Sequence, residues 1–253
     1  MAIITLLTDF GTADTYVGQM KGAILSVAPS CALVDLTHAV PAQDVQAGAF
    51  LLWTAVTAFP AGSIHLAVVD PGVGSARHAI AVQTQRGDYL VGPDNGLLVP
   101  AAERLGGIVT AVALPTPPAA STTFHGRDVF APAAARLATG VSLGDLGAPA
   151  ENLVNLSFPM TGEDGGEVIH VDTYGNLITN VPGDGLAKDT LVKVGDVAVP
   201  LVGYYAQAKP GSLLALVGSA GLLEISVRDG SAADRLRAQR GTRVTLSRRR
   251  PRE

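Results

Sequence analysis

The sequence predicts an α/β domain built on a central, mostly parallel sheet, followed by a smaller all-β, barrel-like domain. Three observations lead there. Apolar runs of strand length alternate with helix-length segments through the first half of the chain. From Gly166 onward the texture changes to short β-type runs separated by Gly, Pro and Asp turns. With 47% hydrophobic and 16% charged residues, the 253-residue chain can bury substantial cores and has no disordered composition. The domains are expected over residues 1–160 and 166–248, divided at the polar, glycine-rich segment 161–166.

In chain order, residues 3–8 read as a buried strand, and residues 15–27 as a helix that Pro29 stops. Residues 32–35 form a short strand. Asp44 can cap a helix running to about Phe59, before Pro60. Residues 64–69 are a second buried strand, followed by strands at 79–83 and 89–91 on either side of a turn, and a helix over 129–139. The Pro/Ala/Thr-rich stretch 115–123 reads as an extended loop. In the second domain, strands are expected at 167–171, 176–181, 190–194, 212–217, 222–227 and 242–246.

A formal charge of −4 gives no nucleic-acid surface, and the basic tail Arg248-Arg249-Arg250-Pro251-Arg252 reads as a solvated terminus. Cys31 is the single cysteine, so an intramolecular disulfide is excluded and the residue is expected in the core. No apolar run is long enough to span a bilayer, and no secretory leader pattern opens the chain, which predicts no membrane partner and a cytoplasmic location.

The run Val68-Val69-Asp70-Pro71-Gly72-Val73-Gly74-Ser75-Ala76-Arg77 leads from an apolar strand into an acid, a glycine-relaxed turn and a guanidinium. That pair can hold a small polar reactant; it can equally be a hairpin with an exposed ion pair. A dinucleotide fingerprint is rejected, because Arg77 stands where a Gly is needed and a strand, not a helix, follows. Asp9 ends the first strand, where a carboxylate can accept both hydroxyls of a ribose, or where Asp9 or Asp14 can cap the next helix. His125 can orient or deprotonate water, with Gly126 leaving space beside it, though a lone His is more often structural. The histidines at 38, 65, 78, 125 and 170 include no metal-ligand spacing, so no metal is expected. In the second domain Asp172 offers a carboxylate for an amine, Tyr174 a face for a base and Asn176 a carboxamide for an adenine edge; all three are also turn formers. The loop around Ser219 suits a carboxylate, or is a plain hairpin turn.

Five segments in order, Leu6-Leu7-Thr8-Asp9-Phe10-Gly11, Asp70-Pro71-Gly72-Val73-Gly74, Phe124-His125-Gly126-Arg127-Asp128, Tyr174-Gly175-Asn176 and Gly218-Ser219, resemble the S-adenosylmethionine hydroxide adenosyltransferase family, which is related to fluorinase and chlorinase enzymes. The resemblance implies hydrolysis of S-adenosyl-L-methionine (SAM) to adenosine and L-methionine, with SAM as substrate and no further cofactor. It implies a homotrimer with active sites between the front domain of one subunit and the back domain of its neighbour. An Asp–Arg–His triad would fall on Asp70, Arg77 and His125. Asp9 would take the ribose diol, Asp172 and Ser219 the methionine end, and Tyr174 with Asn176 the adenine. Gly126 stands where the halogenating relatives have a halide-pocket Ser or Gly, and Asp70 and Val73 stand where the fluorinating ones carry Tyr and Thr. Both features favour water as nucleophile. Arg77 would lower the pKa of the water or hold nascent hydroxide, Asp70 would fix Arg77, and His125 would orient the water or accept its proton, with Asp70 the competing acceptor. The competing functions are a SAM-dependent halogenase, a non-catalytic SAM or adenosine sensor, and a metal-dependent phosphohydrolase.

Overall fold

The structure, a computed structural model, describes residues 1–158, 164–187 and 189–248. The basic residues beyond 248, and 161–163 of the expected domain boundary, lie outside the described residues. The chain divides into two compact units, Met1–Ser157 and Phe158–Glu253.

The first unit is a seven-stranded sheet with helices on both faces. Its strands are β1 (Ile3–Thr8), β2 (Ala32–Thr37), β3 (Ile64–Val68), β4 (Ala79–Thr84), β5 (Tyr89–Pro93), β6 (Ile108–Leu114) and β7 (Ala148–Pro149), in the order β2-β1-β3-β5-β4-β6-β7. The sheet is mixed. β2, β1, β3 and β5 are parallel, whereas β4 pairs antiparallel to both β5 and β6. The change follows from connection length: helical crossovers join β1, β2 and β3, but only the short turn 85–88 joins β4 to β5, and so short a link can only return the chain antiparallel.

Helix α1 (Tyr16–Val27) buries Val17, Met20 and Ile24 at helical spacing and ends before Pro29. Helix α2 (Val45–Ala55) starts at Asp44, whose Oδ1 accepts a hydrogen bond from Ala47 N at 3.0 Å, and runs on into a 3₁₀ turn, Val56–Ala58. Helix α3 (Val99–Arg104) packs beside α2, and helix α4 (Ala131–Ala138) beside α1. One core joins Ile4, Leu6, Ile64, Leu66 and Val68 of the sheet to Met20, Ile24, Phe130 and Ala134. Gly48 of α2 lies so close to Val69 and Leu97 that a Cβ would meet them at 2.9 and 3.0 Å. α3, β6 and β7 go beyond the elements read from the sequence; α3 has only six residues, too few to show a helical period.

The second unit is a seven-stranded antiparallel sheet curled into a nearly closed barrel. Its strands are β8 (Gly165–Val171), β9 (Leu177–Pro182), β10 (Thr190–Val194), β11 (Val197–Val199), β12 (Leu213–Val217), β13 (Leu222–Val227) and β14 (Arg243–Arg248), in the order β11-β10-β14-β8-β9-β13-β12. The two edges meet just beyond β11, where Val202 N donates to Ala215 O and Ala215 N to Pro200 O, each at 2.8 Å. That closure satisfies edge groups an open sheet would leave unpaired. Val168, Leu177, Val192, Leu223, Ile225 and Val244 fill the interior. A one-turn helix, α5 (Ala232–Leu236), is capped by Ser231 Oγ accepting from Asp234 N.

Candidate active site

Strand β3 and the buried Val69 deliver Asp70 to the carboxyl end of the parallel strands, where loops of an open α/β sheet bind ligands. The turn that follows closes through Val73 N to Asp70 O at 3.2 Å and Ser75 N to Gly72 O at 3.0 Å. Gly74 adopts φ +77°, and a Cβ there would collide with the Thr122 carbonyl oxygen. Only glycine therefore allows this turn to lie against the loop that carries His125 three residues later.

The three side chains converge. Arg77 Nε donates to Asp70 Oδ1 at 3.0 Å and Oδ2 at 3.1 Å, and its Nη2 also donates to Asp70 Oδ2. The same Nη2 lies 2.9 Å from His125 Nδ1. The ion pair is well buried, with side-chain exposures of 5% for Asp70 and 11% for Arg77, and His125 is 6% exposed. Phe130, fully buried, supports both cation and imidazole, with its ring centroid 5.2 Å from Arg77 Cζ and 6.5 Å from that of His125.

A guanidinium has no lone pair to offer, so His125 Nδ1 accepts and the ring proton of the neutral imidazole resides on Nε2. Burial, and then the Arg77 charge, push the His125 pKa below its usual 6.5 against the weaker pull of Asp70 and Asp128. The site thus presents a neutral imidazole with a donor N–H beside a permanent cation. The space expected beside Gly126 is occupied: a Cβ there would stand 3.2 Å from Met20 Sδ and 3.3 Å from the Phe124 ring. Gly126 instead opens a π-helical turn, Gly126–Phe130, that runs into α4.

A segment that the sequence reading did not single out clamps both ends of the Asp70–Arg77 turn. Asn95 Nδ2 donates to Val69 O at 2.9 Å, next to Asp70, and Asp94 N donates to His78 O at 2.9 Å, next to Arg77. Asp94-Asn95-Gly96 has the composition of a turn, but a turn composition does not reveal its long-range partners.

Asp9 leaves β1 at the same end of the sheet. It does not cap α1, whose N-cap is Thr15; its Oδ2 accepts from Gln43 N at 2.8 Å. Gln43, another residue without a sequence signal, adopts φ +65°, a strained conformation for a side chain of its size.

In the second unit, the turn between β8 and β9 gathers Asp172, Tyr174 and Asn176. Asp172 Oδ1 accepts from Tyr174 N and Asn176 N, each at 2.9 Å, and its Oδ2 accepts from Asn176 Nδ2 at 2.8 Å. The carboxylate therefore builds this turn, while Tyr174 stands 77% exposed. Ser219 sits at the exposed tip of the β12–β13 hairpin, closed by Gly218 N to Leu222 O at 2.9 Å. The register pairs Leu222 with Pro182 and Ile225 with Leu177, so Ser219 lies at the opposite end of β9 from the Asp172–Asn176 turn. Glu224, 9% exposed and also unforeseen, accepts from Ser226 Oγ at 2.7 Å and from Tyr205 OH. Burial and that carboxylate raise the Tyr205 pKa to about 12. Among the described residues no group of three or more His, Cys, Asp or Glu side chains can hold a metal ion.

Models of the SAM hydroxide adenosyltransferase N-terminal and C-terminal domains match residues 4–147 and 166–245. The (R)-S-adenosyl-L-methionine hydrolase of Salinispora arenicola is 42% identical over 257 residues, covering 96% of this chain and 97% of the relative. A fluorinase of Actinoplanes is 28% identical over 219 residues, 74% of each chain. A crystal structure of an uncharacterized conserved protein from Thermotoga maritima superposes with a TM-score of 0.90 at 35% identity, over 96% of this chain and all of that one.

Proposed function

The chain belongs to the SAM hydroxide adenosyltransferase family, both of whose domains it carries, and from that premise we propose that it hydrolyses S-adenosyl-L-methionine to adenosine and L-methionine. The hydrolases resemble it more closely than the fluorinase does, and over more of its length. The observation that carries the reading is the buried Asp70–Arg77–His125 chain, a cation and an N–H donor gathered at one loop edge.

In this reaction an oxygen lone pair forms the bond to ribose C5′ while the C5′–S bond breaks, its electron pair passing to sulfur. The leaving group is a neutral thioether and needs no acid. The work left to the protein is to align the oxygen and exclude bulk water. Arg77 favours the hydroxide form of the attacking water, and Asp70 holds the guanidinium in place and offsets its charge against the sulfonium. With Nδ1 occupied by Arg77, His125 acts through Nε2–H as a donor that orients the oxygen. That assignment replaces the proton-accepting role favoured from the sequence, because a second proton on this imidazole would be buried beside a cation. The water proton leaves to solvent before attack, so hydroxide is the nucleophile.

For the substrate, Asp9 takes the ribose diol, Tyr174 and Asn176 the adenine, and Asp172 and Ser219 the methionine end. Asp9 has one carboxylate oxygen bonded to Gln43 N, which leaves the other for this task. Asp172 shares the Asn176 turn, at the end of β9 away from Ser219, so of the two groups assigned to methionine only Ser219 stands apart from the adenine-binding residues. On the family resemblance we assign a homotrimer, with the front unit of one copy meeting the back unit of the next. The compartment we assign is the cytoplasm.

The test is liquid chromatography with mass detection after incubation with SAM in heavy-oxygen water. Adenosine carrying one heavy oxygen, with unlabelled methionine and no effect of chelator, is expected. Intact substrate, a 5′-halo-5′-deoxyadenosine when chloride or fluoride is added, or a chelator-sensitive rate would each overturn the reading.

A further inference from the structure

A second line of polar side chains, which the proposed hydrolysis does not use, reaches the same edge of the sheet. Lys21 Nζ donates to Asp35 Oδ2 at 2.6 Å, Asp35 Oδ1 lies 3.1 Å from His38 Nε2, and His38 Nδ1 lies 2.9 Å from Thr8 Oγ1. Phe10 N–H donates to that same hydroxyl oxygen at 3.2 Å. The Asp35 carboxylate can only accept, so His38 Nε2 carries the ring proton toward it and Nδ1 accepts from the Thr8 hydroxyl, which itself accepts from Phe10 N. Nε2 meets Asp35 at ion-pair distance but off the line of a good hydrogen bond, so Thr8 is the partner that fixes the ring. The line runs inward from water: Lys21 and Asp35 are partly exposed, the His38 side chain is 4% exposed, and Thr8 is fully buried.

Its inner end brackets Asp9. Thr8 and Phe10, the residues on either side, are both tied to the Thr8 hydroxyl, which fixes the backbone from which the Asp9 carboxylate projects. His38 grips the same loop a second time through its carbonyl oxygen, which accepts from Gly11 N at 2.7 Å. Across the gap, Val40 N donates to Thr8 O at 3.4 Å, and Gln43 N orients Asp9 Oδ2 from the loop that His38 begins. A buried imidazole that bonds one loop by side chain and by backbone is a rigid spacer between that loop and its own.

We propose that His38 is a positioning residue for diol recognition, holding Asp9 through Thr8 so that its free oxygen meets the ribose hydroxyls of the substrate and of adenosine. This rests on the assignment of Asp9 to the diol made above. A purely structural histidine would change stability and leave unaltered the discrimination between a ribose with and without its hydroxyls. A positioning histidine changes that discrimination.

Calorimetric titration of the full-length protein with adenosine and with 2′,3′-dideoxyadenosine reads the difference directly. The wild-type protein is expected to prefer adenosine, and Asp9→Ala to lose the preference. His38→Leu is expected to reduce it by about tenfold with dideoxyadenosine affinity unchanged, the scale of one misplaced hydrogen bond to a charged group. His38→Asn, whose amide can occupy the place of Nδ1, restores most of it and serves where the leucine variant does not fold. If Asp9→Ala abolishes the preference while His38→Leu retains it in full, or while His38→Leu and His38→Asn lower both affinities equally, the inference is wrong and the Asp9 assignment stands. If Asp9→Ala keeps the preference, the assignment of Asp9 fails and this inference fails with it.

Discussion

At the scale of single residues, the site depends on groups that cannot be exchanged for others of the same charge. Arg77 uses Nε and Nη2 on Asp70 and the same Nη2 on His125. A lysine keeps the charge but not the fork, so Arg77→Lys is expected to lower kcat by about a hundredfold with little change in KM, and His125→Ala by a similar factor. Steady-state kinetics on SAM check this, and an equal loss in kcat and affinity would contradict the roles given to both residues. The contact with Arg77 fixes the tautomer of His125. Because burial and Arg77 lower its pKa, the neutral ring that accepts from Arg77 persists below pH 6.5 and is lost only as pH falls through the lowered value. The His125 ring itself is therefore expected to titrate below pH 6.5, separately from the attacking water, and an NMR titration that places it above that value would mean that the Arg77 contact does not persist in solution. Of these residues, Asp70, Arg77 and His125 were legible as types in a promising order. That Nδ1 faces the guanidinium was not, because a side chain 48 positions away decides it.

At the scale of elements, the turn from Asp70 to Arg77 is held by its neighbours more than by itself. Asn95 on the loop after β5 bonds Val69 O, and Asp94 bonds His78 O. Asn95→Ala should let the turn relax and reduce kcat about tenfold or more while the thermal midpoint falls only modestly, since the half-buried side chain fills no core. Kinetics and a thermal melt on the same preparation separate the two effects. Away from this edge, His65 at the start of β3 is fully buried, bonded to Thr5 Oγ1 through Nδ1 at 2.9 Å, with Asp88 and Arg86 beyond it. Burial lowers its pKa to about 4, despite the attraction of Asp88. The unfolded chain therefore binds a proton that the folded one refuses. This contribution to stability is complete above the unfolded value of 6.5 and is lost as pH drops toward about 4. Urea midpoints measured across this range should fall more steeply for the wild type than for His65→Asn; parallel curves would refute the assignment. The strands and long helices that carry these groups were legible from apolar period, Pro29 and the Asp44 cap. The antiparallel return of β4 to β5 was legible in the short turn between them, but the pairing of β4 with β6 was not, since it depends on which edges meet and not on the strands' own sequences.

At the scale of the whole molecule, the chain forms two units with separate cores, and the proposed function assigns the water to groups of the first and the base and amino acid to groups of the second. The expected solution mass is three times that of the chain, and sedimentation equilibrium checks it. A catalytically active monomer would show that one chain suffices. The sequence by itself determined the class of each unit and the chemical types at the site, because period, turn residues and motif order are local properties that a single chain displays. Tertiary structure alone decided which groups touch. The glycine-limited approach of Gly74 to Thr122, the clamp by Asn95, the filling of the space beside Gly126 and the bond of His38 to Thr8 all join segments distant in the chain, and only packing brings such segments within reach of one another.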